Sequence, residues 1–225
     1  MSEKRYAIAI DGPSGAGKST LARAAAKALG ILYVDTGAIY RTVGLCVRQR
    51  GVEPADQPAV EALLRNIHIE MCYGEDGLQR MFLCGTDVTD AIRLPEVSVL
   101  ASKVSAIPSV RDFLLEMQRD MARRQSVIMD GRDIGTVVLP EAEVKIYLTA
   151  SPEDRARRRY LELQRRGTPQ DFDQLLREIE ERDLRDKNRS VSPLRPAEDA
   201  IILDTTGNTF EQSLTLLLKT VRERL

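Results

Sequence analysis

Short apolar runs alternate with longer amphipathic stretches along the chain. Tyr6–Ile10 is apolar throughout, the pattern of a central parallel strand covered on both faces. Lys18–Leu29 is rich in Ala and Leu and stops at Gly30, which predicts a helix closed by glycine. Leu32–Val34 predicts a second short strand, Ala38–Arg50 a helix stopped by Gly51, and Val60–Asn66 a further helix. The texture then changes. Ile67–Cys72 and Arg80–Cys84 are short alternating runs flanking Gly74-Glu75-Asp76-Gly77, and Gly85-Thr86-Asp87 follows. This predicts a small antiparallel hairpin, with a third strand at Thr86–Thr89, inserted into the main fold.

Helical character returns at Val97, breaks at Pro108 and resumes over Val110–Arg124. Ser126–Met129 and Val144–Leu148 are apolar strands, the first running into Asp130. Ser151-Pro152-Glu153-Asp154 opens a helix: Ser as N-cap, Pro in the first turn, and acids beside the positive end of the helix dipole. That helix is expected to reach about Arg166 and to stop at Gly167, with another over Asp171–Arg185. Ala200–Leu203 is the last strand, and Thr209-Phe210-Glu211-Gln212 fits a capping box for the C-terminal helix. Strands separated by helices predict an α/β fold with a mostly parallel sheet. Such sheets bind ligands at the carboxyl ends of their strands, so chemistry is expected just after each strand.

Composition narrows the function. The 225 residues suit one large domain, or one domain with an insertion, and a hydrophobic fraction of 43% supports a sizeable core. Lys plus Arg (33) nearly balances Asp plus Glu (34), which argues against a nucleic-acid coat or a polybasic membrane binder. Trp is absent and aromatics are 4%, too few for a base-stacking sheet. Cys46, Cys72 and Cys84 form no CxxC pair and predict idle thiols in a reducing, cytoplasmic compartment. The single histidine, His68, excludes a His-rich metal site and argues against a Ser-His-Asp triad. No apolar run approaches the roughly 20 residues of a membrane span. The N-terminal stretch does not read as a secretory signal.

Gly12-Pro13-Ser14-Gly15-Ala16-Gly17-Lys18-Ser19, with Thr20 after it, matches GxxxxGK[ST], the phosphate-binding P-loop, with a strand before and a helix after. Glycines let backbone N–H groups turn inward around anionic oxygens, and the helix N-terminus adds partial positive charge. Lys18 is expected on the β- and γ-phosphates and the Ser19 hydroxyl on Mg²⁺. Val127-Ile128-Met129-Asp130 has the form of a Walker B strand, with Asp130 holding Mg²⁺ through water; it also suits an ordinary strand end with a turn aspartate. Gly131-Arg132-Asp133 follows and suggests a clamp for a second substrate. In Asp35-Thr36-Gly37-Ala38-Ile39-Tyr40-Arg41, a helix start and Arg41 suit an anion, or alternatively a capping turn with a surface arginine. Arg155, Arg157, Arg158 and Arg159 lie on one helix; Arg182, Arg185 and Arg189 lie near another. Phosphoryl transfer needs such cations on the moving group's oxygens, though solvated helix faces carry charge of this kind too. The guanine-specificity motif NKxD is absent, which disfavours a GTPase switch.

Taken together, these residues resemble the bacterial cytidylate kinases, a group of nucleoside monophosphate kinases. The resemblance runs nearly end to end. It rests on IDGPSGAGKST (10–20), DTGAIYR (35–41), the Ser102–Arg111 stretch, DGRDIGT (130–136), the Arg155–Arg159 helix and ERDLRDKNR (181–189). It implies a three-layer P-loop kinase fold around a central parallel five-stranded sheet. The core would cover about 1–60 and 97–225, a small antiparallel β insertion for the monophosphate about 61–96, and a short helical lid about 152–170. It implies transfer from ATP to CMP or dCMP with Mg²⁺, by a cytoplasmic monomer acting on small molecules without nucleic acid or membrane. Gly12–Thr20 would hold the ATP phosphates, with Arg155, Arg158 and Arg159 as the lid over them. Thr36, Arg41, Arg132 and Arg189 would grip the acceptor phosphate. Arg182 and Asp186 would hold the ribose, with Arg182 also near the transferring group. Ser102, Arg111 and Asp133 would read the cytosine. The insertion and the lid helix would move on binding so that water is kept from ATP. Two other readings stay open at this point: a P-loop kinase for another small metabolite or monophosphate, such as shikimate, and a nucleotide-binding regulator without phosphotransfer.

Overall fold

The computed structural model describes residues 5–165 and 167–225. The first four residues, part of the stretch read as no secretory signal, and Arg166, the expected end of the lid helix, lie outside the described residues. In chain order the elements are β1 (Ala7–Asp11), α1 (Lys18–Leu29), β2 (Leu32–Asp35), α2 (Thr36–Gln49), α3 (Gln57–Leu64), β3 (Ile69–Tyr73), β4 (Gln79–Leu83) and β5 (Thr86–Asp87). There follow α4 (Pro95–Val104), α5 (Pro108–Arg124), β6 (Val127–Gly131), β7 (Val144–Thr149), α6 (Pro152–Arg165), α7 (Phe172–Lys187), β8 (Ile201–Asp204) and α8 (Phe210–Arg222). A single 3₁₀ turn at Ala91–Arg93 and a π turn at Ile134–Val138 complete the set among the described residues. The chain divides into two compact units.

One unit combines the described residues up to Tyr33 with Arg124–Leu225. Its sheet has the order β2-β6-β1-β7-β8, with β1 parallel to β6 and β7, and β7 parallel to β8. The central strands read as continuous apolar runs because both faces are covered: Ile8, Ile10, Ile128, Ile146 and Leu148 are all buried. They share a core with Leu21, Ala22 and Ala25 of α1 and with Leu217 and Val221 of α8. Burying each large aliphatic side chain contributes about 1.5–3 kcal/mol. The exit from β1 is tight. A Cβ on Gly12 would lie 1.9 Å from the Leu148 carbonyl oxygen, so only glycine passes β7 there.

The other unit is Val34–Arg123. It holds the antiparallel sheet β3-β4-β5 and a core built from Ile39, Val43, Met81, Ile92, Val104 and Leu114. Helices α2 and α4 meet at backbone distance: a Cβ on Gly44 would lie 2.8 Å from the Ala101 nitrogen.

The expected fold class holds, with a parallel five-stranded sheet and a small antiparallel one. Several boundaries differ. Helix α2 starts at Thr36 rather than Ala38, because the Asp35 carboxylate caps it by accepting the Ala38 N–H at 2.9 Å. Helix α3 starts at Gln57 rather than Val60, because Asp56 caps it in the same way. Pro108 does not break a helix; it opens α5, where its missing N–H costs nothing. The interruption is the turn at 105–107. The capping box at Thr209 and Gln212 forms as expected, and the Ser151 hydroxyl accepts the Asp154 N–H at 3.2 Å.

Candidate active site

In the first unit, residues 12–17 turn the chain from β1 into α1. Gly15 and Gly17 have φ of +76° and +87°, a conformation that L side chains rarely adopt. Lys18 is the first residue of α1, is 5% exposed, and donates from Nζ to the Pro13 carbonyl at 2.8 Å. Burial, reinforced by the Arg132 charge, pushes its ammonium well below the ordinary lysine range, against the opposing pull of Asp130 and Asp11. An ammonium in that state gains most from an anionic ligand.

The Ser19 hydroxyl donates to Asp130 Oδ2 at 2.9 Å, and the Tyr33 hydroxyl donates to Asp130 Oδ1 at 2.8 Å. Hydroxyl and carboxylate oxygens are the hard donors Mg²⁺ prefers. Among the described residues no group of three or more His, Cys, Asp or Glu could hold a metal by itself. The donor set fits Mg²⁺, which the Ser19 hydroxyl and, through water, Asp130 would hold.

The arginines fall into distinct arrangements. Arg155 is 2% exposed and fully committed: Nε donates to the Ala150 carbonyl at 2.9 Å, and one terminal nitrogen to the Ser14 carbonyl at 3.0 Å. The same guanidinium meets both Asp183 oxygens, at 3.0 and 2.6 Å. Arg158 donates to the Thr205 carbonyl at 2.7 Å and pairs with Asp154. Arg159 pairs with Glu162 on the same helix. Arg132 Nε donates to Asp186 Oδ2 at 2.9 Å, and Arg189 donates to the other oxygen, so one buried carboxylate holds two guanidiniums. Burial pushes the Asp186 acid up, but Arg132 and Arg189 outweigh it and hold it below the usual range. Arg182 adds positive charge around both Lys18 and Asp186. Asp133 is buried, and its carbonyl accepts the Val137 and Val138 N–H groups at the start of the π turn.

In the second unit, Thr36 is the first residue of α2 and is buried. Arg41 donates to Asp35 Oδ2 at 2.8 Å, and Arg93 donates to the same oxygen at 3.1 Å. Gly37 leaves room for this: a Cβ there would sit 3.0 Å from an Arg41 nitrogen. Burial raises the Asp35 acid, yet Arg41, Arg93 and the Ala38 amide together hold it below the usual range. The Arg41 Nε is buried and has no hydrogen-bond partner among the described residues. Arg111 is buried, donates to the Ser105 carbonyl at 2.9 Å and lies 5.6 Å from the Tyr40 ring centroid. The Ser102 carbonyl accepts from the Ser105 hydroxyl at 2.9 Å.

Sequence reasoning missed Asp11, Asp183, Arg93 and Gln79. Gln79 accepts the Asp35 N–H at 2.8 Å and donates to the Asp35 carbonyl at 3.1 Å, which ties β4 to the residue that caps α2. A signal for Asp11 existed: Tyr6–Ile10 is an apolar run ending in a carboxylate, the same form that singled out Asp130. Nothing in the local pattern distinguishes Asp183 from its charged neighbours.

Comparison with known proteins identifies the family. A family model described as cytidylate kinase matches residues 8–223. A cytidylate kinase of Caldicellulosiruptor bescii is 50% identical over 216 residues, covering 96% of this chain and 95% of the relative. One from Carboxydothermus hydrogenoformans is 49% identical over 214 residues, covering 95% and 96%. An uncharacterised protein from Eubacterium ventriosum shares the fold at a TM-score of 0.54 and 12% identity, over 98% of this chain and all (100%) of that one. With the P-loop, its serine–aspartate pair and a match running almost from end to end, the chain belongs to the cytidylate kinase family.

Proposed function

We infer that this protein transfers the γ-phosphoryl group of ATP to CMP and dCMP, giving ADP and the cytidine diphosphates. The buried Lys18 ammonium at the start of α1, set in a glycine-rich loop, is the observation that carries the reading. Residues 12–20 bind the donor phosphates, and Lys18 neutralises charge on the β- and γ-oxygens. Ser19 and, through water, Asp130 would hold Mg²⁺, which would supply further neutralisation there. Arg155, Arg158 and Arg159 are assigned to the donor phosphates as the lid, and Arg155 also braces the loop through the Ser14 carbonyl.

Thr36, Arg41, Arg132 and Arg189 are assigned to the acceptor phosphate. The unpartnered Arg41 Nε supports this, since an anion oxygen would satisfy it. Arg182 and Asp186 are assigned to the ribose, and Arg182 also to the transferring group. Ser102, Arg111 and Asp133 are assigned to cytosine. Cytosine offers an N4 donor beside N3 and O2 acceptors; uracil inverts the contacts at positions 4 and 3. A buried mismatch of that kind costs several kcal/mol. The acceptor phosphate is already an oxygen anion, so no general base is required. Positioning and charge neutralisation carry the reaction. The enzyme works in the cytoplasm as a monomer, and its cysteines are free thiols, as suits a reducing compartment.

The test is ADP release from MgATP with CMP, dCMP, UMP, AMP and shikimate in parallel. CMP and dCMP are expected to dominate. Equal turnover of UMP removes the cytosine assignment; turnover of shikimate alone removes the function.

A further inference from the structure

Strand pairing between β1 and β6 runs in register as far as Asp11 opposite Gly131. Beyond it, the chain that carries Arg132 and Asp133 leaves the sheet. The Asp11 carboxylate meets it there. Oδ1 accepts the Ile134 N–H at 2.7 Å and Oδ2 accepts the Gly135 N–H at 2.7 Å. These are opening amides of the π turn, whose backbone bonds run from Val138 N–H to the Asp133 carbonyl and from Leu139 N–H to the Ile134 carbonyl. Asp11 is 4% exposed, so the contact is sheltered from water. The segment also needs space: a Cβ on Gly135 would lie 3.3 Å from the Lys145 side chain and 3.4 Å from Asp11 Oδ2. The next residue after Asp11 is Gly12, where the P-loop begins. On the other side, the Arg132 side chain is anchored by Asp186.

We propose that Asp11 is a positioning residue, which fixes Arg132 and Asp133 relative to the P-loop by holding the amides of Ile134 and Gly135. A carboxyl group presents two oxygens to two adjacent N–H groups, where an asparagine amide presents only one. An aliphatic side chain would fill the same volume and leave both amides buried without acceptors. A short π turn directly after ligand-assigned residues is a common device for aiming side chains at a site. The proposal rests on the assignment of Arg132 and Asp133 to CMP.

The experiment compares wild type, Asp11→Asn and Asp11→Ala for kcat, for KM of CMP and for Kd of a non-hydrolysable ATP analogue, with Tm measured alongside. Leu217→Ala, a core change on α8, serves as the stability control. For the Asp11 variants we expect kcat/KM for CMP to fall on the order of tenfold or more, as misplacement of a binding group by an ångström can do. The Kd of the analogue should stay within about threefold of wild type, since no P-loop contact is removed. If Ala prevents folding, Asn preserves shape and one acceptor and still gives the answer. Lower Tm with unchanged kinetic constants, as expected for Leu217→Ala, overturns the proposal. So does an equal loss of analogue and CMP binding. Absence of CMP turnover by wild type sinks the functional reading itself, and this proposal with it; that arm is read before the variants.

Discussion

Asp183 receives the Arg155 guanidinium on both carboxylate oxygens, at 2.6 and 3.0 Å, while the same arginine holds the Ser14 carbonyl of the P-loop. Helices α6 and α7 are thereby joined to the phosphate loop through one buried cation. Removing one member leaves the other charge buried and unpaired, a loss of about 3–5 kcal/mol. Asp183→Ala should show that loss in urea unfolding. A change below about 1 kcal/mol would mean that water already screens the pair.

Lys18 presents the opposite case. Burial makes its charge costly in the free protein, so Lys18→Met should leave Tm unchanged or raise it. The same variant should lose on the order of a hundredfold or more in kcat, because a preorganised cation at the transferring group is gone. Steady-state assays with saturating MgATP check the rate, and thermal melts check the fold. An unimpaired rate would remove Lys18 from the mechanism.

Stability should carry a pH signature from Asp11. Burial, offset in part by the Gly135 and Ile134 amides, pushes its acid from 3.8 up to about 7. Between those values the native state keeps a proton that the unfolded chain has released. The contribution to stability is therefore full below the unfolded value and is lost as pH rises towards neutrality. Urea unfolding from about pH 4 to about pH 8 should show that decline in wild type and a flatter profile in Asp11→Asn. Parallel profiles for the two proteins would contradict the assignment.

Asp186 should matter for both acceptors. Its two oxygens hold Arg132 and Arg189, so Asp186→Ala frees at once the two arginines we assign to the acceptor phosphate. CMP and dCMP should both lose on the order of a hundredfold in kcat/KM, as cations at a phosphoryl site are worth at least that. A loss confined to CMP would show that Asp186 acts chiefly on the 2′-hydroxyl.

Much of the donor site could be read along the chain. The glycine spacing from 12 to 17, followed by Lys18 and Ser19, specifies a loop whose backbone must bend inward, and the glycines do take left-handed angles. The apolar runs at β1, β6 and β7 name the buried strands, because a strand covered on both faces cannot hide polar residues. Local caps were readable where the pattern was complete, as at Thr209 and Gln212, and overlooked where a lone aspartate did the work, as at Asp56.

Chain order alone therefore determined the parallel sheet, the phosphate loop and the supply of arginines. These depend on short-range periodicity and on the steric demands of glycine, which neighbouring residues express by themselves. Tertiary structure decided how the charges pair: Arg155 with Asp183, Arg132 and Arg189 with Asp186, and Asp11 with amides 123 and 124 positions away. One guanidinium is chemically like another. Which one turns inward to brace a loop, and which stays available for a phosphate, depends on the carboxylate or carbonyl that packing brings within about 3 Å.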